Sequence, residues 1–100
     1  MIPASRLRQL RNDIPIGSVI EALGLLTKES EGLLRFLCPL CSEFHTATNP
    51  KTNLARCFRC CRNFNPIDMV MTVRGYRFLD AVRFLEAFSD HPDSKHPGRQ

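Results

Sequence analysis

The sequence Cys38-Pro39-Leu40-Cys41, followed fifteen residues later by Cys57-Phe58-Arg59-Cys60, determines how the rest of this chain can fold. In each of these cysteine turns, two sulfur atoms separated by two residues can be directed at the same ion. Two such turns at this separation have the ligand spacing of a structural zinc site. We therefore predict one zinc ion, bound by Cys38, Cys41, Cys57 and Cys60, that holds two distant parts of the chain together.

Paired cysteines also occur in disulfide frameworks and in thiol redox sites. No stretch near the first residue combines a basic start, an apolar core and a cleavage site, so we expect no secretion and no disulfides. Five cysteines leave one unpaired, which fits four ligands plus a spare thiol, Cys61, better than a set of bridges. A redox pair at Cys57 and Cys60 stays open, although its βαβ context is not seen. His45 is an alternative ligand to Cys41, but its offset fits a tight turn poorly.

The composition is that of a small folded domain. Of the 100 residues, 43% are hydrophobic and 24% are charged, and a chain this short buries a limited core that a metal would supplement. No apolar run approaches the roughly 18 residues that cross a bilayer, so we expect a cytoplasmic protein without a membrane partner. The net charge of +4 favours a polyanionic partner such as nucleic acid.

Four helices are predicted, two on each side of the cysteine turns. A basic helix spans residues 3–11 after Pro3, and a second begins at Ile16 with apolar residues at helical spacing and ends near Gly24. Asn65-Pro66-Ile67-Asp68 has the cap, first-turn proline and acidic residue of a helix start, and Gly75 is placed to end that helix. The last helix begins at about residue 78. We divide the chain into a basic helix (1–13), a zinc-ribbon domain (14–89) and a disordered tail (90–100).

Between the helices the pattern predicts short strands. Residues 27–32 are polar and read as a turn, whereas the apolar run 33–37 predicts a strand that leads into Cys38. The turn-forming residues 49–53 fold 43–48 back onto 54–57 as a hairpin. The fold class is therefore α+β, a small antiparallel zinc ribbon flanked by N-terminal and C-terminal helices.

This order of elements resembles the amino-terminal zinc-binding domain of bacterial DNA primases, from about residue 14 to residue 88. The resemblance rests on segments 37–41, 57–60 and 65–71, and on residues 75–82, which are similar to the family's Gly-Tyr-x-Phe-x-Glu-Ala-Val. One departure is Cys41, where the family usually has histidine in a Cys-His-Cys-Cys site; thiolate is also a zinc ligand but adds negative charge. A second lies at residues 44–48, which differ from the family's Lys-Thr-Pro-Ser-Phe run, so template preference does not transfer.

The resemblance implies binding of a single-stranded DNA template by the face of the ribbon, in primer synthesis during DNA replication. Four thiolates leave no open position on the zinc, so its role is structural. The family's catalytic domain does not fit within 100 residues. We therefore expect no primer synthesis by this chain alone, but a primase fragment or a module that works with a polymerase domain or helicase on another chain, as in a plasmid, phage or integrated element.

The candidate DNA contacts combine basic and aromatic side chains, as single-strand binding requires. The basic candidates are Lys28, Arg35, His45, Lys51, Arg56 and Arg59, and the stacking candidates are Phe36, Phe44 and Phe58. Two further hypotheses stay open. One is a protein-interaction ribbon that docks on a primase, helicase or RNA polymerase without contacting DNA, and the other is a thiol redox enzyme.

Overall fold

The computed structural model describes residues 2–89, which form four helices and two small antiparallel sheets. The helices are α1 (Ala4–Asn12), α2 (Ile16–Ala22), α3 (Pro66–Arg74) and α4 (Phe78–Ser89). The strands are β1 (Thr27–Ser30), β2 (Leu33–Phe36), β3 (Thr46–Asn49), β4 (Leu54–Cys57) and β5 (Arg62–Phe64). The first sheet pairs β1 with β2, and the second has the order β3-β4-β5. This confirms the predicted α+β class; the tail predicted at 90–100 lies outside the described residues.

The helix ends lie at residues that are suited to capping or ending a helix. Asn65 caps α3 by accepting a hydrogen bond from the Asp68 N–H (2.8 Å), and the Asp68 carboxylate accepts one from the Asn65 N–H (3.2 Å). Gly75 ends α3 with a φ of +68°, a conformation that costs glycine little. Pro3 is the N-cap of α1 and precedes its first turn.

Residues 27–30 form strand β1, so the prediction of a turn over 27–32 was wrong for those four residues. Only Glu31 and Gly32 turn the chain, and both have positive φ (57° and 78°), as a two-residue hairpin requires. Strand β1 is an edge strand and its central residues, Lys28 and Glu29, are exposed. Such a strand buries no apolar face, and therefore shows none of the alternation by which strands are recognised.

Strand β5 was not predicted, although it positions the second cysteine turn. Its pairing with β4 ends at Cys57 opposite Arg62, so residues 58–61 are the loop of a hairpin between β4 and β5. Cys60 therefore lies in a loop whose two ends are fixed by strand pairing.

Threonine hydroxyls join the two sheets where no backbone ladder does. The Thr46 hydroxyl accepts a hydrogen bond from the Phe36 N–H (2.9 Å) and donates one to the Phe36 carbonyl (2.6 Å). The Thr48 hydroxyl donates to the Leu34 carbonyl (3.1 Å). Strands β2 and β3 are consequently held side by side, so the two sheets are neighbours.

The helices and the inner faces of the sheets share one core. Helix α4 packs on α1 and α3, and α2 packs on α3. The core side chains that are less than 2% exposed include Leu10, Val19, Ile20, Phe36, Phe64, Met69, Val70, Val82 and Leu85. An ion pair from Arg6 to Glu86 (3.3 Å) joins α1 to α4 at the surface. None of the helices within residues 2–89 has both the length and the apolar character needed to cross a membrane.

Candidate metal centre and outer face

The four cysteines that the sequence singled out come together at one point. Their sulfur atoms all lie within 4.8 Å of one another. The Cys38–Cys60 sulfur distance is 3.9 Å and the Cys41–Cys57 distance is 3.6 Å. Zinc–sulfur bonds of about 2.3 Å in a tetrahedron place two sulfurs about 3.8 Å apart, so both distances fit one zinc ion. The arrangement confirms that this chain can hold one structural metal ion, and four thiolates are the ligand set of a closed zinc site.

In each cysteine turn a backbone N–H donates to the first sulfur, from two residues along the chain in one turn and from three residues along in the other. In the first, the Leu40 N–H donates to the Cys38 sulfur, and in the second, the Cys60 N–H donates to the Cys57 sulfur, both at 3.4 Å. The residue after each turn has positive φ, 59° at Ser42 and 57° at Cys61. Glycine would adopt this conformation at lower cost. Its recurrence at both turns indicates that the chain must reverse there to direct all four sulfurs inward.

The thiols titrate very differently from one another before metal is bound. Burial opposes ionisation of Cys57, but the Cys60 N–H and hydrogen bonds from the neighbouring thiols together lower its pKa to about 7. Burial and hydrogen bonds with the neighbouring cysteines, Cys41 first among them, raise the pKa of Cys60 to about 12. Burial and its hydrogen bond to Cys57 also raise the pKa of Cys41. Cys57 is therefore the first of these three thiols to become a thiolate.

Zinc affinity should decrease steeply as the pH is lowered, because protons compete with the metal for the thiolates. Cys41 and Cys60, whose pKa values are raised, must both release a proton, which predicts a loss of at least about a hundredfold in affinity for each pH unit of acidification. Below about pH 7 Cys57 is also protonated, so the dependence should become steeper. Competition titrations against a chromophoric chelator between pH 6 and pH 8 would measure it. An affinity independent of pH would contradict thiolate ligation.

His45 and Cys61 lie outside the cluster of four sulfur atoms. Both side chains are exposed. The Cys61 thiol donates to the Phe58 carbonyl (3.6 Å), and the His45 carbonyl accepts the Phe58 N–H (2.8 Å). Neither residue is positioned as a fifth ligand in this structure.

Several of the residues predicted to contact DNA share one face of the strands, which we call the outer face. Lys28 is directly opposite Arg35 in the first sheet, and in the second sheet Ala47, Arg56 and Asn63 are opposite one another in a row. Directly opposed residues lie on the same side of a sheet. Lys28 also lies over the ring of the half-buried Phe44, 4.8 Å from its centroid, so that ring is already covered by a cation.

The structure corrects the prediction at Phe36 and changes the interpretation of Arg35. Phe36 is completely buried, so its ring has no face on which a base can stack. The Arg35 side chain is only 20% exposed, and it donates to the Thr46 carbonyl (2.7 Å) and to Glu31 (3.2 Å). Replacing Arg35 would therefore disturb the contact between β2 and β3. It is a poor probe of DNA binding.

The remaining predicted contacts are placed at or beside the outer face. Lys51, in the β3–β4 turn, and Arg59, at the tip of the second cysteine turn, are exposed. Phe58 is 54% exposed and shares a shallow depression with His45 and Arg59. Asn63, which lies opposite Arg56, was not predicted to lie on this face, because strand β5 was not recognised in the sequence.

The excess positive charge of the chain is concentrated in the strands. Residues 25–64 contain six Lys or Arg and three Asp or Glu, a net charge of +3, whereas the helical segments 2–24 and 65–89 contain six and five, a net charge of +1. The unit that presents the outer face is thus the most cationic part of the described chain.

Comparison with known families agrees with this geometry. A family model described as the CHC2 zinc finger, a zinc ribbon of DnaG type, matches residues 2–96. A search of curated proteins found no match.

Proposed function

Because this chain belongs to the CHC2 zinc finger family of DnaG-type zinc ribbons, we propose that it binds single-stranded template DNA on its outer face during primer synthesis. The catalytic polymerase, and a helicase where one takes part, are on another chain in this proposal. Such a role would place the protein in the cytoplasm, where replication in bacteria occurs.

The observation that carries the proposal is that two exposed cations, Lys51 and Arg59, and an exposed aromatic ring, Phe58, lie in the two turns that border strand β4. Single strands are bound where basic side chains follow the backbone and aromatic rings receive the bases. The structure offers Lys51 and Arg59 for phosphates and Phe58 for stacking. The metal and the two cysteine turns fix Arg59 and Phe58 in position, so little order has to be gained on binding.

Replacing Lys51 and Arg59 together with alanine should weaken binding to single-stranded DNA roughly tenfold at moderate salt and lower its salt dependence. Each phosphate contact contributes about 0.7 to the slope of log affinity against log salt, so we expect the slope to fall by about 1.4. Fluorescence anisotropy with labelled oligonucleotides at several salt concentrations measures both quantities.

Arg83→Ala is the matched control, because Arg83 is exposed on α4, which packs on α1 and α3. It removes one positive charge, half of what the double variant removes, and should leave affinity and slope nearly unchanged. If the double variant binds like the parent chain, Lys51 and Arg59 are not phosphate contacts. If the parent chain binds no oligonucleotide even at low salt, the DNA-binding function is wrong.

A second candidate function, docking on a partner protein, is favoured by an apolar pair at the start of α4. Phe78 is 42% exposed and Leu79 is 54% exposed, although both belong to residue types that proteins usually bury. Capture of a primase, helicase or polymerase subunit that is lost in Leu79→Ser, with DNA binding unchanged, would support docking as a separate function.

A further inference from the structure

We propose that the outer face reads a guanine base through Arg56, an inference that rests on the proposed function of single-stranded DNA binding. The site is a groove of about 440 Å³ on the outer face, between the β3–β4 turn and the second cysteine turn. The residues that line it include Leu33, Ala47, Leu54, Arg56, Phe58 and Asn63.

The Arg56 guanidinium is already held in one orientation. Its Nη1 donates to the Asn63 side-chain oxygen (3.2 Å), and its central carbon lies 5.6 Å from the centroid of the Phe58 ring. Asn63 is directly opposite Arg56 in the register of β4 and β5, so the strand pairing fixes this contact. An arginine fixed before binding loses less conformational freedom when it binds a ligand.

The surroundings of Arg56 suit a base better than a phosphate. Leu33, Ala47 and Leu54 give the groove an apolar floor, against which the flat face of a base can lie. The Phe58 ring, at one end of the groove, has the Arg56 guanidinium over it but is still 54% exposed, so its remaining surface can receive a base beside that guanidinium. Lys51 and Arg59, which are exposed and do not line the groove, suit hydrated phosphates better.

Guanine is the base whose edge matches a fixed guanidinium. Its O6 and N7 are adjacent acceptors that take two parallel N–H donors, whereas adenine places a donor beside N7. Arginine has five N–H donors and no acceptor, and Asn63 uses one of them. Cytosine also has two adjacent acceptors, O2 and N3, but its single ring covers less of Phe58 and fills less of the groove.

The test is anisotropy with the zinc-loaded chain and a short oligothymidylate that carries one central A, C, G or T. We expect the guanine oligonucleotide to bind about tenfold more tightly than the other three. Replacing that guanine with 7-deazaguanine, which lacks the N7 acceptor, should remove most of the difference.

Variants separate base reading from simple charge. Arg56→Lys keeps the charge but loses the planar fork, so it should bind all four oligonucleotides with nearly equal affinity. Asn63→Ala should reduce the preference for guanine while affinity for oligothymidylate changes little, because Asn63 positions Arg56 and bears no charge. Asn63→Asp keeps an acceptor for Arg56 and should retain the preference at a lower overall affinity. Zinc content and circular dichroism check that each variant is folded.

Each alternative result is decisive. Equal affinity of the parent chain for all four oligonucleotides, a preference for cytosine, or a guanine preference that survives in Arg56→Lys overturns the assignment while leaving DNA binding intact. Failure to bind any of the four overturns the proposed function itself, and base reading with it.

Discussion

Removing the metal should unfold the ribbon. A strong chelator is expected to abolish the tertiary structure of β3, β4 and β5, because these strands meet the first cysteine turn through the four sulfurs. Structural zinc contributes about 10–16 kcal/mol in small zinc domains, and the whole stability of a domain is only about 5–15 kcal/mol. Nuclear magnetic resonance spectra before and after chelation would report the loss, and metal analysis would give the stoichiometry, expected at one zinc per chain.

Single substitutions locate the effect. Cys57→Ser should lose zinc and the ordered ribbon, since Cys57 is buried and its sulfur lies 3.6 Å from that of Cys41. Cys61→Ser is the matched control, because Cys61 is exposed and lies outside the cluster, and it should retain one zinc. Cys41→His should also retain zinc, since imidazole is an accepted ligand at tetrahedral sites. A cooperatively folded chain without metal would contradict this view of the fold.

The cysteine turns and the helix boundaries could be predicted because each depends on residues close in sequence. A cysteine pair at two-residue spacing and the Asn65–Asp68 capping box each lie within four residues, and the apolar stripe of α2 lies within about two helical turns. Strand β5 was not predicted because only Phe64 of its three residues is buried, so the strand shows no alternation of apolar and polar residues.

Hydrogen bonds from polar side chains to residues far away in the sequence could not be predicted in the same way. Arg35 reads as a free cation in the sequence, yet its guanidinium bonds the Thr46 carbonyl eleven residues away. Thr46 and Thr48 read as ordinary strand residues, yet they replace a backbone ladder between two sheets. Which face of the ribbon is available for a ligand is decided by such contacts, and they depend on the folded arrangement.

Away from the metal centre, we expect substitution of Asn53 to cause the largest loss of folding stability. Its side-chain oxygen accepts the Ile16 N–H (2.8 Å), and its amide nitrogen donates to the carbonyls of Arg11 (2.7 Å) and Ile14 (2.8 Å). These groups lie at the end of α1 and the start of α2, where helices leave backbone groups without partners. The residue before α2, Pro15, does not cap that helix with its side chain. One residue of the β3–β4 turn thus caps two helices about forty positions away.

Asn53→Ala should lower the free energy of unfolding by about 3 kcal/mol, roughly 1 kcal/mol for each lost hydrogen bond. Alanine is also disfavoured at the φ of +57° that Asn53 adopts, so Asn53→Gly should be less destabilising by about 1 kcal/mol despite losing the same bonds. Urea unfolding of the zinc-loaded protein measures both values.

Asn49→Ala is the comparison within the same turn. Asn49 is exposed and its side-chain oxygen accepts the local Lys51 N–H (2.9 Å), so losing that side chain should cost less than about 1 kcal/mol. Asn53→Asp adds a sharper test, because it keeps the acceptor for Ile16 but points a carboxylate oxygen at two carbonyls, and it should be at least as destabilising as alanine. Were Asn53→Ala as stable as Asn49→Ala, the two helices would be held on the ribbon by apolar packing alone. If hydrogen bonding from Asn53 holds the helices, Asn53→Asp and Asn53→Ala should be the most destabilising variants. Asn53→Gly should be less destabilising, and Asn49→Ala the least.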